Sequence, residues 1–172
     1  MAFKPVGSLN PHGAPILRKE VITNSVVSTV NDSIKLASGF AALGTTGALV
    51  AGHLVTHKSD RGVGLNSSGA SGAEIGSYVY TFTAASDNQT VAQVAAELDI
   101  SKSTIYSVDP DVAIGTTTGS NLSGYLTDIA DEKETDESDA AATTGQYGIL
   151  GVDPADAGNQ LVHVYESVFF GV

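Results

Sequence analysis

The sequence predicts a mainly β domain, sandwich or barrel-like, with one short helix and an extended N-terminal arm. Three observations point there. Apolar residues recur with period two in at least five segments, clusters of Gly, Ser, Asn and Asp separate those segments, and a single window over 91–98 has helical spacing.

The arm comes first. Residues 1–19 hold Lys4, Arg18 and Lys19 and no acid, in a chain of net charge −11. Pro5, Pro11 and Pro15 fix φ and push their predecessors into extended geometry, which keeps the segment out of a sheet. It reads either as a basic arm or as an unstructured terminus, and an arm that orders only on a partner satisfies both. Phe3, Ile16 and Leu17 add apolar contacts. The candidate partner-contacting residues are therefore Phe3, Lys4, Ile16, Leu17, Arg18 and Lys19, and the β-rich domain, 20–172, is expected to fold without them.

Strands follow. The stretch 21–30 is rich in Val, Ile and Thr, which suit a pleated surface. Ile34 and Leu36 alternate with smaller residues over 33–38, and 49–57 follows a Gly-Thr-Thr-Gly turn at 44–47. Over 74–83, Tyr78, Tyr80 and Phe82 alternate with Ser77, Val79, Thr81 and Thr83. Val91, Val94, Ala95 and Leu98 then fall at i, i+3, i+4 and i+7, with Thr90 and Gln93 as a capping box, so a helix is expected over 91–98. Further strands are expected at 103–108, 122–129 and 160–170. The run 128–139 carries seven carboxylates against Lys133 and reads as a solvated loop, with weak calcium binding left open although the EF-hand pattern is missing.

The last strand is unusual. Val162, Val164, Val168 and Phe170 fall on one face and Leu161, Tyr165 and Phe169 on the other. A strand apolar on both sides must be covered twice. A neighbouring subunit or a sandwich centre would do so, and Tyr165 and Phe169 are the candidate self-association anchors.

Composition narrows the function. Cysteine is absent, which excludes disulfides, thiolate metal sites and cysteine nucleophiles. No apolar run reaches membrane-spanning length, and the start lacks the apolar stretch of a signal peptide, so use without export is expected. The negative charge disfavours direct nucleic-acid binding. Only 16% of residues are charged, against about 25% in an ordinary soluble domain. Small uncharged residues replace them, as on a surface that packs against copies of itself.

Motifs are few. Residues 90–106 look like the last two helices of a helix-turn-helix, with Lys102, Ser103 and Thr104 as groove residues. A preceding helix is missing, Asp109-Pro110 ends the second one early, and Lys102 is opposed by Glu97 and Asp99. The alternative for the same residues is one helix followed by a strand. His53 and His57 have zinc-pair spacing only on a helix; on a strand they share a face as surface or interface histidines, and His163 reads likewise. Gly62-x-Gly64 lacks its third glycine, Ser67 standing in its place, and neither a phosphate-binding loop nor a nucleophile elbow occurs. No catalytic, metal or cofactor-binding residue is assigned.

Several words carry a resemblance. They are Lys35-Leu36-Ala37-Ser38-Gly39-Phe40, Ala51-Gly52-His53-Leu54-Val55, Ala73-Glu74-Ile75-Gly76-Ser77, Ile114-Gly115-Thr116-Thr117-Thr118-Gly119-Ser120 and Tyr165-Glu166-Ser167-Val168-Phe169-Phe170. Over roughly 34–170 the chain resembles the head decoration (cement) proteins of tailed phages. The resemblance implies a structural virion protein, made in the host cytoplasm and placed on the outer capsid surface. Its partners would be the major capsid protein and itself, as a homotrimer, with no cofactor and no contact with nucleic acid or membrane. The alternatives are another virion or surface subunit (tail, fibre or surface layer) and a DNA-binding regulator acting through 90–106.

Overall fold

The computed structural model describes residues 2–10, 12, 14–21, 27–59, 79–81, 94–115 and 123–170. Among them the regular structure is all strand. The order is β1 Lys4–Ser8, β2 Leu17–Val21, β3 Val27–Thr29, β4 Ser33–Ala37, β5 Phe40–Leu43, β6 Val50–Ser59 and β7 Val79–Thr81. There follow β8 Val94–Asp99, β9 Thr104–Pro110, β10 Leu126–Ile129, β11 Glu134–Ala141, β12 Tyr147–Asp153 and β13 Asp156–Val164.

One sheet runs β1-β9-β11-β10-β12-β13, and β13 pairs back onto β9. Five of its strands thus close into a small barrel, which removes their open edges. β1 lies outside that ring, against the first half of β9, and β11 takes over in parallel at Asp109 and Pro110. The other large sheet is antiparallel in the order β2-β8-β6-β4-β5, and β3 pairs with β7.

A bulge in β6 couples the two halves. Ile34 pairs with Gly52 but Lys35 pairs with Val50, so β6 carries one extra residue and its side-chain alternation flips. Ala51 and Leu54 pack with Ile34, Ala41, Leu98 and Ile100 in one core. Val50 packs with Phe3, Tyr106, Val108, Ile129, Tyr147, Ile149, Val162 and Val164 in the barrel core. Gly52 permits the crossing, because a Cβ there would lie 2.6 Å from the Asp99 carbonyl oxygen.

Several expectations are corrected. The helix over 91–98 does not form across its described part, since Val94–Asp99 is β8. Its sequence, Val-Ala-Ala-Glu-Leu-Asp, fits period two as readily as period 3.6. A short helix bears a nucleation cost, whereas β8 lies between β2 and β6 and gains a ladder on each side. The capping pair Thr90 and Gln93 lies outside the described residues. Because β9 occupies Thr104–Pro110, the would-be recognition helix is a strand as well.

The arm is woven into both sheets. Pro5 is tolerated because β1 is an edge strand, with a register shift between Pro5 and Gly7, and Pro, a bulge and Lys4 are common protections of such an edge. Phe3, expected to meet a partner, has 0% exposure in the barrel core. The acidic stretch is no simple loop either: Glu134–Ala141 is β11, and Thr135, Asp136 and Glu137 are buried. Its acids serve the backbone. Asp128 Oδ1 accepts the Gln146 N–H at 3.1 Å, and Asp136 Oδ1 accepts the Asp139 N–H at 3.2 Å.

The C-terminal strand begins and ends earlier than its apolar pattern suggests. β13 stops at Val164, so Val168 and Phe170 leave the face they share in sequence with Val162 and Val164. The barrel itself covers Val162 and Val164.

Candidate functional site

Exposed apolar side chains gather where the two ends of the chain meet. Leu9, Ile16 and Leu17 from the N-terminal segment, and Val168 and Phe170 from the tail, are all more than a third exposed. Between them stands the turn that joins β8 to β9. An open groove of about 400 Å³ on one side of this turn is lined by Leu9, Lys102, Ser103, His163, Val164 and Tyr165. A second, of about 320 Å³, is lined by Asn10, Ala14, Ile16, Ser101, Lys102, Ser103 and Phe170. Lys102 and Ser103 border both, so the grooves form one strip.

The turn is rigid for a chemical reason. The Asp99 carboxylate accepts the Ser101 N–H at 2.9 Å, the Thr104 hydroxyl at 2.7 Å, the Tyr106 hydroxyl at 3.1 Å and the Ser101 hydroxyl. Bonds to a charged acceptor are stronger than neutral ones. The flanking segments are pinned by backbone hydrogen bonds: the Leu9 N–H donates to the Ser103 carbonyl at 2.7 Å and the Ile100 N–H to the Ile16 carbonyl at 2.9 Å. The Val168 N–H donates to the Val50 carbonyl at 2.9 Å, which ties down the tail.

Two cations sit on aromatic rings here. The Arg18 guanidinium lies 4.1 Å from the centre of the Phe169 ring and pairs with Glu20. The Lys102 ammonium lies 5.9 Å from the centre of the Tyr165 ring. Such contacts hold long side chains against apolar surface while their charges stay wet.

Of the residues singled out in the sequence, Ile16, Leu17, Arg18, Tyr165 and Phe169 converge on this region. Parts of the two expected patches, arm and C-terminal strand, thus adjoin one another, with Ile16 and Tyr165 lining the grooves. Phe169 also packs against the second core, as Leu36 and Leu43 do. Lys4 is exposed on β1, away from the grooves, and the Lys19 side chain lies outside the described residues. Sequence reasoning missed Leu9, which was not among the apolar arm residues singled out. It also missed Lys102 as a strip residue, because nothing local brings position 102 beside positions 9 and 165.

His53 is not a surface or interface histidine. It is 2% exposed, with its ring centre 4.0 Å from that of Tyr106 and 4.7 Å from that of Phe3. Its Nε2 is 2.9 Å from the Tyr147 hydroxyl. Burial lowers its pKa from 6.5 to about 3, against the opposing pull of Asp99. Burial likewise pushes the Tyr106 and Tyr147 hydroxyls far above their usual range, so both stay neutral. This network binds the two halves together. The His57 side chain lies outside the described residues. His163 is half-buried on β13, with its Nδ1 3.2 Å from the Val164 carbonyl oxygen.

A separate carboxylate, Asp153, is held below the usual range by the Ser107 hydroxyl, which donates to it at 2.5 Å. Among the described residues no three His, Asp or Glu side chains converge in a metal-binding geometry. No protein-family model, curated protein or solved structure matches the chain.

Proposed function

We propose that this chain is a self-associating structural protein that decorates the outer surface of a tailed-phage capsid by binding the major capsid protein. One observation carries the reading: the N-terminal segment is hydrogen-bonded to the turn at 100–103 and the tail to Val50 and Gln146, and apolar side chains of both segments line adjoining grooves beside that turn. Contiguous exposed apolar surface marks an interaction site, and here rigid hydrogen-bonded segments present it, which limits the entropy lost on docking. The buried polar groups described above are engaged in cohesion of the core. The resemblance to decoration proteins supports the capsid as partner. Its words map onto the β4–β5 hairpin, the middle of β6 and the tail that borders the strip.

The test is co-sedimentation with shells assembled from a tailed-phage major capsid protein, that of the genome encoding this chain. The intact protein should saturate the shells at a fixed stoichiometry. Leu9→Asp combined with Phe170→Asp should abolish binding without changing the far-ultraviolet circular dichroism. Shells that bind the double variant as well as the parent would refute the proposal.

A further inference from the structure

We infer that proton uptake by His53 releases the N-terminal segment, drawing Phe3 out of its hole and lifting β1 from β9 while both sheets stay closed. This device is independent of the capsid reading.

His53 sits at the seam with one ring nitrogen satisfied. Its Nε2 is 2.9 Å from the Tyr147 hydroxyl, which lies 3.3 Å from the Ser33 hydroxyl. Its Nδ1 is buried and has no hydrogen-bond partner among the described residues. A neutral imidazole carries one N–H and one acceptor nitrogen, whereas an imidazolium carries two donors. Protonation therefore leaves an N–H at Nδ1 with nothing to accept it, on a buried charge. The groups around the ring do not relieve this. Asp99 from β8 attracts the charge, but its carboxylate is committed to Ser101, Thr104 and Tyr106, and burial outweighs its pull. Tyr106 from β9 and Tyr147 from β12 stay neutral. Ser33 from β4 carries no charge, and Asp32 before it is buried as well. The N-terminal segment presents the Phe3 ring, with its centre 4.7 Å from that of His53.

Relief requires water, and Phe3 is the cover that yields most easily. β6 lies between β4 and β8, and β12 between β10 and β13. β9 has β13 on one side and β1 and β11 on the other. Displacing His53, Tyr106 or Tyr147 would break ladders on both sides of a strand. Phe3 is held more lightly. It is the one buried side chain of residues 2–10, all five residues of β1 are exposed, and β1 pairs with β9 alone. Release breaks that ladder, the bond from the Phe3 N–H to the Asn31 carbonyl and the bond from the Leu9 N–H to the Ser103 carbonyl. Segments with so little buried surface open before the domain unfolds. The closed form refuses the proton, and the open form, with its imidazole in water, binds it near pH 6.5, so acid favours opening.

Amide hydrogen exchange on the full chain, followed by NMR, tests this. After correction for intrinsic rates, opening read at the Phe3 and Leu9 N–H groups should rise about 25-fold from pH 7 to pH 5, where ordinary carboxylates stay largely ionised. The Ala48 N–H, bonded within its own turn to the Thr45 carbonyl, should not respond. Amides of β13 should stay better protected than Leu9 at both pH values. His53→Gln should abolish the response. His163 shares a groove with Leu9 and is the rival sensor, so His163→Gln should retain it. That second variant keeps the test decisive if the buried substitution fails to fold. Absence of the response in the parent, its loss in His163→Gln, its survival in His53→Gln, or equal loss of protection in β13 would each overturn the inference.

Discussion

Acidification should weaken the protein through His53 before its carboxylates titrate fully. The perturbation is a drop from pH 7 to pH 4.5. In the unfolded chain the imidazole titrates near 6.5, whereas in the fold burial lowers it to about 3. Between those values the unfolded state binds a proton that the native state refuses. Stability therefore falls as pH drops through 6.5, and the loss grows until about pH 3. At pH 4.5 the gap from 6.5 is two units at about 1.36 kcal/mol each, or about 3 kcal/mol. Carboxylates also contribute to the acid sensitivity, so the readout is a difference between two proteins. His53→Gln removes the titration and retains a group able to hydrogen-bond Tyr147. The chain has no Trp, so urea unfolding is best followed by far-ultraviolet circular dichroism. The stability of the parent minus that of the variant should become about 3 kcal/mol less favourable between pH 7 and pH 4.5. A difference that stays constant, or moves in favour of the parent, would falsify the reasoning. It would mean that the imidazole is hydrated, or that attraction to Asp99 outweighs its burial.

Three further perturbations follow from the packing. Deleting residues 1–19 removes β1, most of β2 and Phe3; loss of a buried Phe alone costs about 3–5 kcal/mol, so calorimetry should show Tm falling by about 10 °C or more, and an unchanged Tm would mean that these residues are a detachable arm after all. Asp99→Ala leaves the buried hydroxyls of Ser101 and Tyr106 without their acceptor and should cost about 3 kcal/mol in chemical denaturation. Gly52→Ala drives a Cβ to within 2.6 Å of the Asp99 backbone and should cost about 2 kcal/mol, whereas Gly158→Ala, whose nearest neighbour is an Asp156 side-chain oxygen at 3.4 Å, should be close to neutral in the same assay.

The core shows how a chain with few large apolar residues stays cohesive. Aromatic rings and their polar tips occupy the seam between the halves. Phe3 lies 5.0 Å from Tyr147, nearly parallel to it, and His53 bridges toward Tyr106. Around them, the buried Asp99 and Asp136 carboxylates accept hydrogen bonds from backbone N–H groups and from hydroxyls, which offsets the cost of burying them. The Val50 N–H donates to Gln146 Oε1 at 2.8 Å across the seam.

By itself the sequence determined the β class. Period-two runs place β4 and β6 almost residue for residue, and the turn at 44–47 falls between β5 and β6 as read. These are local consequences of side-chain alternation and turn chemistry, which depend on residues a few positions apart. Tertiary structure decided the rest. Val94–Asp99 suits two periods equally, and the ladders supplied by β2 and β6 choose the strand. Prolines and basic charge mark 1–19 as an arm, but Phe3 finds a hole among His53, Tyr106 and Tyr147 that no local pattern reveals. The acidic run looks solvated until strand pairing shows its carboxylates holding backbone N–H groups. The strip exists because hydrogen bonds join positions 9 to 103 and 16 to 100, and position 168 to 50. Contacts of that separation are set by the closure of the sheets, a property of the whole chain that no short window of residues encodes.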